Sequence, residues 1–584
     1  MFKLLVYAKK YRKQIILGPF FKFLEAVFEL ILPLLMAQLV DMGIRQNDNQ
    51  VVWQMTGWMV LMSVVGLLCA VICQYYASVA SQNFGTELRN QVMKKINSFS
   101  HAELNLFGTD TLITRMTSDI NQLQLALAML IRLVVRAPFL SIGAVIMAFT
   151  IDWQAGIIFL VTLPLFCLIL FFIIKTTVPL YQKVQQKLDV LNELVNQNLS
   201  GVRVIRAFSR RNTEITRFSN RTDELSSVYV RVTNISALLT PATTLIMNIG
   251  ILALFYLGGF KVNTGHLAPG QILALVNYMN QMLLALIVVS NLVIIFTRAA
   301  ASANRVNEVL ETKPSITTFG DTKAGNPPIA EDSSLSSKKG AIAFQQVAFR
   351  FAPEFGLVLE NIDFKVAAGT TLGIIGPTGS GKSTLSQLIL RFYDVTAGSV
   401  TIDGRDVRKW SLTKLRSEIA MVPQTAVLFS GTIKENLQWG KKDATDQECW
   451  AALELAQAKE FVAALPKGLQ TPIFEGGKNF SGGQKQRLTI ARAVIAKPRI
   501  LILDDSLSAL DYKTDLNLRQ ALQNKLDGTL IIISQRVRSI QDAQQILVLD
   551  AGKQVGLGRH EELLVNCPEY QAIVASQAEV SHEA

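Results

Sequence analysis

The sequence is poor in the residues that build metal sites and disulfide frameworks. Five cysteines (Cys69, Cys73, Cys167, Cys449 and Cys567) are spread over 584 residues. No two of them form a CxxC pair or a metal-ligand spacing, which argues against a zinc module and a disulfide scaffold. Three fall in apolar runs and read as small core or lipid-facing residues. No small-residue cleavage site follows the first apolar run, which is also too long for a secretory signal peptide. No internal repeat is found. No nucleic-acid recognition module is found either, and the basic residues track loops between apolar runs, so nucleic acid is not expected as a partner.

What is plentiful is apolar sequence. Half of the residues are hydrophobic and the mean hydropathy is +0.31, high for a soluble protein and suggestive of membrane spans. The excess is uneven: residues 14–300 hold the long runs, whereas 340–584 read as an ordinary soluble domain. Six runs approach the roughly 20 residues that a bilayer requires. They fall at about 16–40, 55–79, 128–150, 155–175, 238–260 and 272–296. The third begins with Arg132 and Arg136, the least span-like start of the six.

The net charge of +12 fits the positive-inside bias of a membrane protein. "IRQNDNQ" (44–50), "IDW" (151–153) and "NTGHLAPG" (263–270) are short and poor in Lys and Arg. The stretches 80–127 and 176–234 are long and rich in them. Both long stretches are therefore expected in the cytoplasm, with the basic N-terminus and the C-terminal half on the same side. Their helical periodicity implies that the spans continue below the bilayer and turn back. A short amphipathic helix is expected over residues 1–12. Residues 311–339, rich in Ser, Thr, Pro and Gly, read as a linker.

The soluble half carries the strongest signal, "TLGIIGPTGSGKSTLSQLIL". A strand leads into a loop of spacing GxxxxGK[ST], and a helix follows. Gly376, Pro377, Thr378, Gly379, Ser380, Gly381, Lys382, Ser383 and Thr384 form this candidate ATP-binding loop. Glycines let backbone N–H groups turn toward phosphate oxygens, and the helix N-terminus adds positive potential. Lys382 is expected on the β- and γ-phosphates and the Ser383 hydroxyl on Mg²⁺. In "ILILDD" (500–505), Asp504 ends a buried strand and is the second expected Mg²⁺ ligand. "NFSGGQKQR" (479–487) places two glycines after a serine at a helix start, a second candidate anion site.

P-loop, "FSGGQ" and "ILILDDSLSALD", in this order and behind six spans, resemble a half-transporter of the ABC exporter type (type IV) over nearly the whole chain. The implied fold is an all-α six-helix transmembrane domain (1–310), the linker (311–339) and an α/β P-loop ATPase domain (340–584), that is, a multidomain membrane protein. The resemblance also assigns roles. Phe351 matches the aromatic that stacks on adenine. Gln424 matches the Q-loop glutamine that senses the metal, and Glu475 an acidic residue that meets the cytoplasmic loops. Ser481, Gly482, Gly483 and Gln484 match the signature that completes a partner's ATP site. Ser508 and Asp511 belong to the D-loop at the dimer interface. Segments 97–108 and 209–218 are the expected couplers. The implied cofactors are ATP and Mg²⁺. The implied location is a bacterial cell membrane, with the N-terminus and the ATPase domain cytoplasmic.

Two positions depart from the family pattern. The residue after the Walker B aspartate is usually Glu, and here it is Asp505, one methylene shorter. The residue after "TLIIIS" is usually His, and here it is Gln535, which does not titrate near neutral pH. A catalytic group displaced by about 1 Å can lose on the order of 100-fold. Together with the nearly intact signature, which carries Phe480 in place of the usual Leu, this resembles the degenerate-site half of heterodimeric bacterial multidrug exporters. The expected function is export of hydrophobic or amphipathic compounds in partnership with a homologous half-transporter. Alternatives are a lipid or peptide exporter and an ATP-gated sensor or channel that does not pump. No N-terminal peptidase domain is seen, which weakens dedicated peptide export. Glu25 and Glu29, one turn apart in the first span, are the candidate substrate residues, suited to a cationic amphiphile or else paired internally with Arg132 or Arg136.

Overall fold

The computed structural model describes residues 2–316 and 340–582. Beyond residue 316, the expected linker lies outside the described residues. The chain divides into two compact units, Met1–Asn97 with Gly108–Thr312, and Ser98–Phe107 with Lys313–Ala584.

The first unit is all helical. Among the described residues, six helices are long and apolar enough to cross a membrane: Lys3–Ile44, Asn49–Asn97, Thr109–Ile151, Trp153–Ser200, Arg211–Asn263 and Pro269–Val289, the last part of a helix running to Glu311. The helix Asn49–Asn97 has 49 residues. At 1.5 Å per residue it is about 74 Å long, more than twice a ~30 Å hydrocarbon layer, so it extends well past the bilayer. Its outward face, with Leu61, Val64, Leu67, Leu68 and Val71 exposed, suits lipid. The inward face is lined by small residues, among them Ala77, Ala80, Ser81 and Gly85, which allow the close helix approach that membrane packing depends on.

The N-terminal segment Phe2–Tyr11 is a 3₁₀ helix leading into Arg12–Gln38. Pro33 is tolerated inside that helix, as membrane helices can re-satisfy freed backbone groups. The third span is a continuous helical path with a π turn at Leu130–Val134, before Arg136–Ile151. The arginines that weaken its hydropathy therefore sit at an irregularity of the helix, not at its end. Of Arg211–Ala237, only Val232 is buried.

The second unit is built on a sheet of ten strands among the described residues. Its centre is parallel: Ile419–Val422, Ile500–Asp504, Thr529–Ile533, Thr371–Ile375 and Gln545–Asp550 lie side by side in that order. Ile500–Asp504, Thr529–Ile533 and Thr371–Ile375 are buried throughout. A strand covered on both faces reads as an unbroken apolar run, which is why "TLGII", "ILIL" and "TLIII" show no alternation. Lys553–Gly558 leads to an antiparallel flank of Leu359–Val366, Ile342–Phe349, Ala397–Ile402 and Arg405–Asp406. One core lies between this flank and the helix Lys382–Ile389, and another spans the helices between Ile433 and Val494.

Candidate nucleotide and substrate sites

Four parallel strands end at one edge, and each delivers a residue singled out by the sequence. Ile375 leads into Gly376, Val422 into Gln424, Asp504 into Asp505, and Ile533 into Gln535. The carboxyl ends of parallel strands are where α/β sheets bind ligands.

The loop 376–384 is a backbone cradle. Gly376, Gly379 and Gly381 have φ of +156, +84 and +93°. A Cβ on Gly376 would lie 2.0 Å from the Leu549 carbonyl, and one on Gly381 would lie 2.6 Å from the Leu359 side chain. Only glycine fits at either position. Lys382 opens the helix Lys382–Ile389, and its amine turns into the loop, donating to the carbonyls of Gly376 (2.9 Å) and Pro377 (2.7 Å). Burial pushes its pKa down, and the charges of Asp505 and Asp504 pull it back up. A desolvated cation inside a ring of backbone donors fits an anionic phosphate.

Ser383 Oγ donates to Asp504 Oδ1 at 2.9 Å. Gln424 Nε2 donates to Asp505 Oδ2 at 3.2 Å. Burial, above all, pushes both carboxyls above the usual aspartate range; for Asp504 the neighbouring Asp505 adds to this. Two adjoining carboxylates, Asp504 buried and Asp505 partly so, with a hydroxyl and an amide at hand, fit a hard divalent cation, which prefers oxygen ligands. Ser383, Asp504 and Gln424 would hold Mg²⁺, which supplies charge neutralisation at the phosphates. A carboxyl whose folded pKa is raised costs stability once pH exceeds its unfolded value, and the cost grows as pH rises through the folded value. Asp504→Asn should therefore leave the melting temperature of the nucleotide-free protein equal or higher while removing the rise that Mg²⁺-ATP produces. Thermal denaturation with and without Mg²⁺-ATP checks this, and a lower nucleotide-free value would contradict it.

Asp505 itself sits at φ +46°, a left-handed conformation that Asp tolerates better than most residues. Gln535 is exposed, and its backbone is clamped from outside. Gln577, on the C-terminal helix Pro568–His582, donates to the Gln535 carbonyl (2.7 Å) and accepts from the Val537 N–H (2.9 Å). Arg536 next door donates to the Ser508 carbonyl at 3.2 Å. Gln577 thus steadies the loop that the sequence marks at Gln535. Sequence reading misses it, because no motif joins residues 42 apart.

Phe351 is half exposed and packs edge-on against Phe349 and Tyr393, at 4.9 and 5.2 Å between centroids. Ser508 Oγ donates to the Asp505 carbonyl (2.7 Å), and Asp511 caps the helix Tyr512–Lys525 by accepting from the Thr514 N–H. Glu475 stands exposed beside Lys478. Ser481 and Gln484 form a capping box on the helix Gly482–Val494, and Gly482 and Gly483 are its first two residues, at the helix start. A Cβ on Gly482 meets nothing within 4 Å, whereas one on Gly483 would lie 3.2 Å from the Ala509 carbonyl, so the helix end presents bare backbone at Gly482.

Segment Ser98–Phe107 belongs to the second unit. In its helix, the His101 ring lies 4.2 Å from that of Phe392, and Asn105 Nδ2 donates to the Tyr393 hydroxyl at 2.8 Å. The second expected coupler, 209–218, falls mainly in the first turns of the long helix Arg211–Ala237. The short helix is Val202–Ala207, with Val204 60% and Phe208 73% exposed.

For Glu25 and Glu29 the structure shows internal pairing, the alternative the sequence leaves open, with Lys22 and Arg136 as the partners. Both oxygens of Glu25 accept from Lys22 Nζ (2.7 and 2.8 Å), and both oxygens of Glu29 accept from Arg136 (2.8 Å). Neither carboxylate offers a bare negative charge. Internal pairing prevails because an ionised carboxylate at membrane depth is costly until it is neutralised.

Comparison with known proteins agrees with this geometry. Residues 15–286 match the family model described as ABC transporter transmembrane region, and 359–508 the model described as ABC transporter. An uncharacterized ABC transporter ATP-binding protein of Mycobacterium tuberculosis is 36% identical over 574 residues, covering 98% of this chain and 97% of its own length. The ATP-dependent lipid A-core flippase of Desulfotalea psychrophila is 33% identical over 511 residues, 87% of each chain. A bacterial Atm1-family ABC exporter with ATP bound superposes with a TM-score of 0.80 at 24% identity, covering 97% of this chain and 98% of that one, a likeness of fold.

Proposed function

Because the chain belongs to the ABC transporters, as an exporter half-transporter whose ATPase domain couples ATP hydrolysis to transport across a membrane, we propose that it is the degenerate-site half of a heterodimer. In this reading its own P-loop, with Asp504 and Ser383 on Mg²⁺, holds ATP but cleaves it slowly. Its signature serves the efficient site of a dissimilar partner. The observation that carries the reading is the pair Asp505 and Gln535. Asp505 has one methylene less reach than Glu and is engaged by Gln424. Gln535 has no proton to exchange near neutral pH. The bare helix end at Gly482 supports the other half of the reading. Two weakly apolar surfaces await a partner: Val204 with Phe208, and Val427, Phe429 and Phe474.

The transported class is amphipathic, drug-like or lipid-like. Kinship to proteins named lipid A-core flippase favours the lipid-like end of that range. ATP drives the cycle only through its differential affinity for the closed cassettes, so a chain that holds ATP without cleaving it still biases the equilibrium.

Expression of tagged and untagged copies of this chain beside its natural partner tests the pairing. The tagged copy should retain a half-transporter with Glu and His at the two altered positions, and no untagged copy. Stoichiometric recovery of the untagged copy would overturn the heterodimer.

A further inference from the structure

The N-terminal segment Phe2–Tyr11 turns its apolar side inward. Leu4 and Ala8 are buried, and the segment packs against the helices Asn49–Asn97 and Pro269–Glu311 of its own unit. Lys3 Nζ is taken by Glu311 at 2.8 Å. An amphipathic segment on a membrane ordinarily presents its apolar face to the lipid. Here that face is spent inside the protein, and among the described large apolar residues of the segment only Val6 stands exposed.

What remains outside is charge. Lys9, Lys10, Arg12 and Lys13 are all exposed. Among the described residues none of the four has an ion pair or a hydrogen-bonded side-chain partner. No acidic residue precedes Glu25 in the chain, so nothing in the same stretch neutralises them. Side chains at i and i+3 eclipse in a 3₁₀ helix, so exposed Lys3, Val6 and Lys9 share one row, basic at both ends.

Their level is that of the lipid head groups. Arg12 stands four residues ahead of Ile16, about 6 Å along the helix at 1.5 Å per residue. Ile16, Leu17 and Phe20 are exposed apolar residues of the first span, suited to lipid. The head-group layer is about 5–7 Å deep on each side of the hydrocarbon core. Six spans put the N-terminus on the side of the cytoplasmic ATPase domain, so this layer is that of the inner leaflet.

We infer that Lys9, Lys10, Arg12 and Lys13 form a docking surface for anionic phospholipid head groups of the inner leaflet, and that charge rather than apolar insertion holds this segment to the membrane. Positive-inside bias requires cations on this side; it does not require them unpaired, on a segment whose apolar face is already buried. An apolar anchor accepts any lipid, whereas unpaired cations at head-group depth discriminate by head-group charge and weaken with salt. The inference needs only the orientation of the chain and stands apart from the heterodimer reading.

Native mass spectrometry of the full chain with its partner, in non-ionic detergent, tests this with an equal mixture of phosphatidylglycerol and phosphatidylcholine of identical acyl chains. A basic residue near an anionic surface contributes about fivefold in affinity. The ratio of phosphatidylglycerol to phosphatidylcholine in the first-bound lipid should therefore fall about fivefold in Lys9→Gln or Arg12→Gln, fall further in the two combined, and stay level in Lys9→Arg. Salt at about 1 M, where the screening length is ~3 Å, should remove the preference. Val6→Ser should leave the ratio unchanged. A ratio unmoved by the Gln variants or by salt, or lowered as much by Val6→Ser, overturns the inference. Failure of the heterodimer reading would appear in co-purification and leave the ratio untouched.

Discussion

Ser481→Arg in this chain should silence ATP turnover of the assembled transporter by on the order of 100-fold or more, while Asp505→Asn should leave most of it intact. Ser481 caps the helix Gly482–Val494 and stands at its bare end. A bulky cation there removes both the cap and the approach to backbone N–H groups. Loss of a single aligned donor to a developing oxyanion costs about 100- to 1000-fold in kcat. If the signature works for the partner's site, the injury falls on the site that does the cleaving. Asp505 belongs to the slow site, so its carboxylate contributes little to the total. Steady-state phosphate release from the purified complex decides the matter. Equal losses in the two variants would mean two equivalent sites.

The converse substitution should give a gain. In a complex whose partner carries a substitution of its own P-loop lysine, Asp505→Glu with Gln535→His in this chain should raise phosphate release by about 100-fold, the scale of a 1 Å correction in a catalytic group. The strand ends already align Asp505, Gln535 and the P-loop, with Ile533 in register with Asp504 and Ile374. The scaffold needs no rearrangement; only reach and a titrating ring are restored. Either change alone should give much less, since groups that act together in catalysis are not additive. Unchanged turnover in the double variant would locate the slow step elsewhere. Gln577→Ala in the same background would show how much of the gain depends on a steadied loop.

The asymmetry between these experiments follows from features legible in the sequence for a physical reason. The parallel strands are buried on both faces, so each is an unbroken apolar run. The glycines of the P-loop stand where a Cβ would strike Leu549 or Leu359. Spans of sufficient length are visible because hydrocarbon admits few alternatives. What stayed hidden depends on side chains meeting across the fold. Pairing of Glu29 with Arg136 is among the alternatives the sequence leaves open, but Glu25 reads as open to a cation until Lys22 is seen beside it. Gln577 carries no motif, and its importance lies only in the two backbone groups it reaches.

Tyr393 is the member shared by two otherwise separate contacts. Its ring packs against Phe351, and its hydroxyl receives the amide of Asn105 from the segment that interrupts the transmembrane unit in sequence. If Phe351 stacks on a base, then base occupancy and the seating of that segment press on one phenol ring. A nucleotide that lingers would act as a long-lived wedge, and its residence time, rather than its cleavage, would set how firmly this half stays engaged between strokes of the other.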